Sequence, residues 1–162
     1  MQQQRSNVAS AQTTCIVCPP EPGDYYGMAG LAGQLGYPCT GDQIRMRVAE
    51  MRDTIQYAIY VARLPGGQIA GWIGVYLFRA VEIDSCAEIS GLIVDQQVRS
   101  RGIGKALLDA VEVWARSHGC AAILVHSNVK RDRAHGFYKK NGYERTKTQE
   151  LLRKSLIGAK LL

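Results

Sequence analysis

Residues 96–119 read QQVRSRGIGKALLDAVEVWARSHG, and their order decides the fold around them. Arg99-Ser-Arg-Gly-Ile-Gly-Lys105 stands directly ahead of a helical pattern from about Gly102 to His118 in which Leu107, Val111 and Trp114 share one face, and Gly119 sits where a C-cap belongs. The apolar run ISGLIV, residues 89–94, comes just before, so the local order is strand, tight turn, helix. That order gathers unbonded backbone N–H groups and the positive helix end at one point. With two glycines and the cations Arg99, Arg101 and Lys105 beside it, the point suits an anion, and a phosphate fits best.

Outward from this turn, TCIVC reads as a short strand stopped by Pro19 and Pro20. DYYGMAGLAGQLG has helical spacing weakened by its glycines, and TGDQIRMRVAEMRD is a firmer helix, capped by Thr40 or Asp42, with Ile44, Val48 and Met51 on one face. IQYAIYVAR and QIAGWIGVYLF form a hairpin through Leu64-Pro-Gly-Gly67, and SCAEISGLIVD adds a third long strand. After the central helix, AAILVHS reads as a buried strand, RDRAHGFYKKNG as a short helix, and YERTKTQELLRKSL as one or two final strands. The predicted order is β-αα-βββ-α-β-α-β. It describes an α+β domain: a mixed, mostly antiparallel sheet of six to seven strands flanked by about four helices.

Length and composition narrow the class. The 162 residues fill one domain, expected over 14–162 behind a flexible tail at 1–13 that is disordered or appended. No apolar run approaches the ~20 residues of a bilayer span and MQQQRSNVASAQTT has no signal core, so a cytoplasmic protein away from membranes is expected. The five cysteines are odd in number and scattered, which reads as reduced thiols. Cys15-Ile-Val-Cys18 has half the spacing of a zinc site but nothing to complete it, so no metal is expected. The net charge is +6, yet the cations are dispersed and aromatics are only 7%, which argues against a nucleic-acid partner.

Two familiar phosphate loops fail on spacing. There is no Gly-x-x-x-x-Gly-Lys-Ser/Thr, and no third glycine or repeated βαβ unit completes a dinucleotide fingerprint. Arg99-Ser-Arg-Gly102-Ile-Gly104 instead resembles the Arg/Gln-x-x-Gly-x-Gly/Ala signature of the GNAT superfamily of acetyl-coenzyme A-dependent N-acetyltransferases. LIVDQQVRSRGIGKALL is similar to that family's fourth strand and third helix, HGCAAILVHSN to its fifth strand, and AHGFYKKNGYE to its closing helix-turn. LAGQLGYP and IAGWIGV extend the likeness upstream, so it runs from about Thr14 to Leu156. One departure is Gln96, where family members often carry a stiffening proline.

The resemblance implies acetyl-coenzyme A as cosubstrate. The N–H groups of Ser100, Arg101, Gly102, Ile103, Gly104 and Lys105 would hold its pyrophosphate, and side chains at Gly102 or Gly104 would stand in the way. The backbone of Leu92, Ile93 and Val94 would pair with the pantetheine arm. Asn128 resembles a family asparagine that binds that arm, or else caps the following turn; Arg131 and Arg133 would reach phosphates or only solvate their helix.

Acetyl transfer to an amine needs a base for the ammonium and an acid for the departing thiolate. Glu88 is the candidate base: a carboxylate within an apolar strand is costly unless it meets water, a partner or a substrate. Ala87-Glu88-Ile89, 14 positions ahead of Gly102, resembles the general-base strand of the family's histone-acetylating branch. Its bland alternative is a glutamate on an exposed face or paired with an arginine, with Glu82 and Asp84 as fallback bases. Tyr138 is the candidate acid. Ala134, Phe137 and Asn141 share a packing side that leaves Tyr138 turned away, and Phe137-Tyr138-x-x-x-Gly142-Tyr143 matches the motif whose tyrosine is the acid in many members. The histidines receive no catalytic role; His126 reads as a core residue.

The leading expectation is direct attack in a ternary complex, since no cysteine lies in a nucleophile motif. A non-catalytic acyl-coenzyme A binding or sensing module and a protein-interaction module are the alternatives. The acceptor, a small-molecule or protein amine, is left open, as is a homodimer.

Overall fold

A computed structural model describes residues 15–52, 54 and 56–155; the expected tail at 1–13 lies outside the described residues. The chain divides into two compact units, Met1–Leu124 and Val125–Leu162.

The first unit is a sheet with helices on both faces. Its strands are β1 (Ile16–Cys18), β2 (Tyr57–Arg63), β3 (Ile69–Ala80), β4 (Ile83–Val94) and β5 (Ile123–Val125), in that spatial order, the unit boundary falling within β5. β1 to β4 pair antiparallel. Ahead of β5, Ala121 N–H bonds Ser85 C=O and Ala87 N–H bonds Ala122 C=O, so that chain runs alongside β4 in the same direction and the sheet is mixed.

α1 (Tyr25–Leu35) forms despite its glycines because packing outweighs propensity. Tyr25, Met28 and Leu31 bury against Val48 of α2 (Gly41–Arg52) and against Val61 and Ile93 of the sheet. Thr40 is the cap of α2: its Oγ1 accepts from Gln43 N–H at 3.2 Å while Gln43 Oε1 accepts from Thr40 N–H at 2.9 Å. α3 (Ile103–Ser117) covers the opposite face with Ile103, Leu107, Leu108, Val111 and Trp114, the stripe its periodicity predicts.

β4 carries two irregularities. Gly74 pairs with Gly91 but Val75 pairs with Ile89, leaving Ser90 as an extra residue, and a second shift lies between Phe78 and Ala80. Because side chains alternate with period two, one extra residue reverses which face everything beyond it occupies.

The expected sixth and seventh strands are absent among the described residues: 144–155 is irregular. Its only apolar residues, Leu151 and Leu152, are adjacent and exposed, so no alternating face exists to bury. β5 is also shorter than AAILVHS suggests and only half-buried, and His126 beyond it is exposed rather than core. In the second unit α4 (Asp132–Lys140) is the expected short helix.

Candidate active site

The turn between β4 and α3 has the construction its sequence predicts. Asp95 Oδ1 accepts from Gln97 N–H at 3.1 Å, starting a 3-10 turn at Gln96–Val98. Arg99 Nε donates to the Val94 carbonyl at 3.0 Å, folding that side chain back onto the end of β4. Ser100 then has φ +64° and Gly102 φ +83°, two left-handed residues that swing the chain into α3. The first bond of the helix runs from Ala106 N–H to Gly102 C=O at 3.0 Å, so the N–H groups of Ile103, Gly104 and Lys105 precede any intrahelical acceptor.

Gly102 combines a constrained backbone with open space. Its φ disfavours any L side chain, and a Cβ built there meets nothing within 4 Å, so the space beyond the backbone is open. Arg101 is exposed and makes no ion pair among the described residues; the Lys105 ammonium lies 2.5 Å from Asp109 Oδ1 in a surface pair. An open cradle, oriented N–H groups and nearby cations suit a pyrophosphate.

Sequence reasoning missed what braces this turn. Gln96 N–H donates to Gln34 Oε1 at 3.2 Å, and Gln34 Nε2 approaches Asp95 Oδ1 at 3.4 Å, tying the last turn of α1 to the residues after β4. Thus the position where proline is common uses, in this chain, the donor that proline lacks.

Glu88 is buried, with 9% of its surface exposed, and sits directly opposite Tyr76 of β3. The Tyr76 phenol hydrogen-bonds the carboxylate. The exposed-face alternative does not describe this position, and a tyrosine is one of its partners. Glu82 is exposed in the β3–β4 turn, and Asp84 is exposed in β4. Of Leu92, Ile93 and Val94, Ile93 is buried in the α1/α2 core and the others are half-buried.

In the second unit, Asn128 Oδ1 accepts from Lys130 N–H at 2.9 Å, which is the local cap reading. Tyr138 is half-buried in α4, its ring edge-on to both Phe137 (5.4 Å) and Tyr143 (5.3 Å), so it belongs to an aromatic cluster rather than to a separate face. Burial pushes its phenol up to about 12, with the Arg131 charge pulling weakly the other way. Arg131 itself is exposed.

All five cysteines are free. Burial raises the Cys15 thiol, and burial followed by Cys86 raises that of Cys120 against an opposing Arg79. No group of three or more His, Cys, Asp or Glu that could hold a metal ion occurs among the described residues, and no helix there is long and apolar enough to cross a membrane.

A mixed sheet flanked by helices, with a left-handed turn opening the helix that follows its fourth strand, makes an α+β fold. The chain belongs to the Acetyltransferase (GNAT) family, whose sequence model matches residues 37–143. It is 28% identical to aminoglycoside N(6')-acetyltransferase type 1 of Stenotrophomonas maltophilia over 86% of this chain and 90% of that protein. It is 32% identical to aminoalkylphosphonate N-acetyltransferase of Salmonella typhimurium over 54% and 57%. Among solved structures, AAC(6')-Iy in complex with the bisubstrate analogue CoA-S-monomethyl-acetylneamine superposes with a TM-score of 0.76 at 20% identity, covering 88% of this chain and 99% of that one, which shows the shared fold. Acetyl-coenzyme A is the cosubstrate of the family.

Proposed function

We propose that residues 14–162 act as one acetyltransferase domain that moves the acetyl group of acetyl-coenzyme A to a primary amine by direct attack in a ternary complex. The observation that carries this reading is the turn at 96–105, with its open left-handed glycine and its oriented N–H groups. Ser100 to Lys105 hold the pyrophosphate through their backbone, Arg99, Arg101 and Lys105 contribute charge, and Leu92 to Val94 receive the pantetheine arm. Acetyl-coenzyme A supplies the activated thioester.

An alkyl amine has a pKa of about 10 and arrives as an ammonium. Glu88 takes that proton, from a buried position where its charge is undiluted by water. Tyr138 serves the departing sulfur. Its raised pKa keeps it in the protonated form a donor needs, and makes hydrogen-bond donation, ahead of complete transfer to a thiolate of ordinary pKa about 8.5, the energetically lighter role. Raised thiols at Cys15 and Cys120 speak against an acyl-cysteine route at those positions.

Small-molecule amines are the acceptors this reading favours, because the two relatives named above carry aminoglycoside and aminoalkylphosphonate in their names. Reduced thiols favour the cytoplasm as its compartment. The test is a panel of aminoglycosides, aminoalkylphosphonates, amino acids and peptides incubated with acetyl-coenzyme A, read by thiol release. Turnover on a small amine is expected. Tight acetyl-coenzyme A binding with no turnover on any amine would replace the enzyme with a binding or sensing module.

A further inference from the structure

The side chains across the sheet from Glu88 have no part in the reading so far. Tyr57, Tyr76 and Glu88 are successive cross-strand partners on β2, β3 and β4, so they stand in one row on one face. Val61, Trp72 and Ile93, in the same alternation, identify this as the face covered by α1 and α2. The two phenol rings stack with centroids 5.9 Å apart and planes 11° from parallel. A carboxylate only accepts, so the Tyr76 hydroxyl donates to Glu88.

Tyr57 reaches further. Its hydroxyl lies 2.5 Å from Ser90 Oγ, crossing β3 above Gly74, where an added Cβ would come within 2.6 Å of Ser90 Oγ and 3.4 Å of the Tyr57 hydroxyl. Each tyrosine thus grips one residue at the β4 irregularity: Tyr76 the carboxylate just before it, Tyr57 the extra residue itself. That irregularity decides where Glu88 points. With an unbroken register Glu88 would share a face with Leu92 and Val94, the face on which Val94 and Leu107 of α3 both lie next to Gly71.

We propose that Tyr76 is a positioning residue for Glu88, holding the carboxylate in one orientation for the acceptor amine, while Tyr57 braces Tyr76 by stacking and pins the bulge through Ser90. The proposal rests on Glu88 as the base. A carboxylate offers about four lone-pair sites, so one phenol hydrogen bond leaves it able to take a proton. Tyr76 is not a competing base: burial first, then its hydrogen bond to Glu88 and the charges of Glu88 and Tyr57, raise its phenol well above the ordinary range and keep it protonated. Its hydroxyl acts through the carboxylate.

Tyr76→Phe keeps the ring and removes that donor, and a double-mutant cycle with Glu88→Gln reads whether the two act as a unit. Tyr76→Phe is expected to lower kcat roughly tenfold, the scale of a hydrogen bond to a charged group. The KM for acetyl-coenzyme A should stay within about twofold, and the substitution should cost nothing further in the Glu88→Gln background. Thermal melting of each variant keeps any folding defect separate. Equal fractional losses in both backgrounds would show Tyr76 acting independently of Glu88 and overturn the proposal. An unchanged Tyr76→Phe beside a slow Glu88→Gln would overturn the positioning role alone. An unchanged Glu88→Gln would remove the base assignment, and the positioning role with it.

Discussion

The turn at 96–105 and the row Tyr57–Tyr76–Glu88 are both built by β4, but they are built differently. The turn is made of backbone: consecutive residues, two left-handed φ values and a helix end. The row is made of side chains from three strands, brought opposite one another by a register that shifts at Ser90. A backbone site survives most side-chain changes around it and fails when its own space is filled. A register site depends on a count of residues, and fails when one partner or one position is lost.

The widest separation between the two comes from Gly104→Glu. A carboxylate beside the first N–H groups of α3 should abolish the rise in melting temperature that acetyl-coenzyme A gives by mass action. A thermal shift equal to that of the wild type would displace the cosubstrate from this turn altogether.

Tyr138→Phe comes next, since removing one hydrogen-bond donor aimed at charge that develops in the transition state costs roughly 10²- to 10³-fold. Turnover should fall within that range while a binding titration with acetyl-coenzyme A is almost unchanged, because the hydroxyl is needed only as charge develops on sulfur. Equal losses in both would make it a binding residue.

Glu88→Gln should lower the rate by roughly 10²-fold near neutral pH, with partial recovery in alkaline buffer as the amine deprotonates unaided. A pH–rate profile parallel to that of the wild type would move proton removal to Glu82, Asp84 or water, and would leave the register-built row without a chemical role.

The smallest effect is on stability. The Tyr138 phenol is raised from an ordinary value of about 10 to about 12 by burial, so above pH 10 the unfolded chain releases a proton that the folded chain keeps. This contribution is whole below about pH 10 and is lost as pH climbs to 12. Melting temperatures between those limits should therefore drop more steeply for the wild type than for Tyr138→Phe; parallel slopes would refute the buried phenol.

What was legible in the sequence follows the same division. The turn, the stripe of α3 and the hairpin were readable because each is fixed by residues close in the chain. Glu88 stood out as a carboxylate in an apolar strand. Tyr76 as its partner did not, since finding it requires the cross-strand register, and turn chemistry at Leu64–Gly67 says nothing of an extra residue at Ser90. Tyr138 was singled out by motif, and the expectation that it turns away from Phe137 missed its aromatic neighbours, because helical spacing does not tell that Tyr143, beyond the helix end, folds back onto its ring. The final strands expected from YERTKTQELLRKSL are absent among the described residues, where Leu151 and Leu152 are adjacent instead of alternating.

The bond between Gln96 N–H and Gln34 Oε1 bears on how such a chain can change over generations. Proline at 96 would stiffen the turn in a chain that does not use that donor; here it would also take away the partner of Gln34, so the benefit of one substitution is conditional on a residue 62 positions earlier. Both groups are exposed, and water can replace either. The barrier between the two sequence solutions is therefore low, and drift can cross it in either order with only a small transient loss, which lets a lineage exchange a proline-stiffened turn for a glutamine-braced one without leaving the fold.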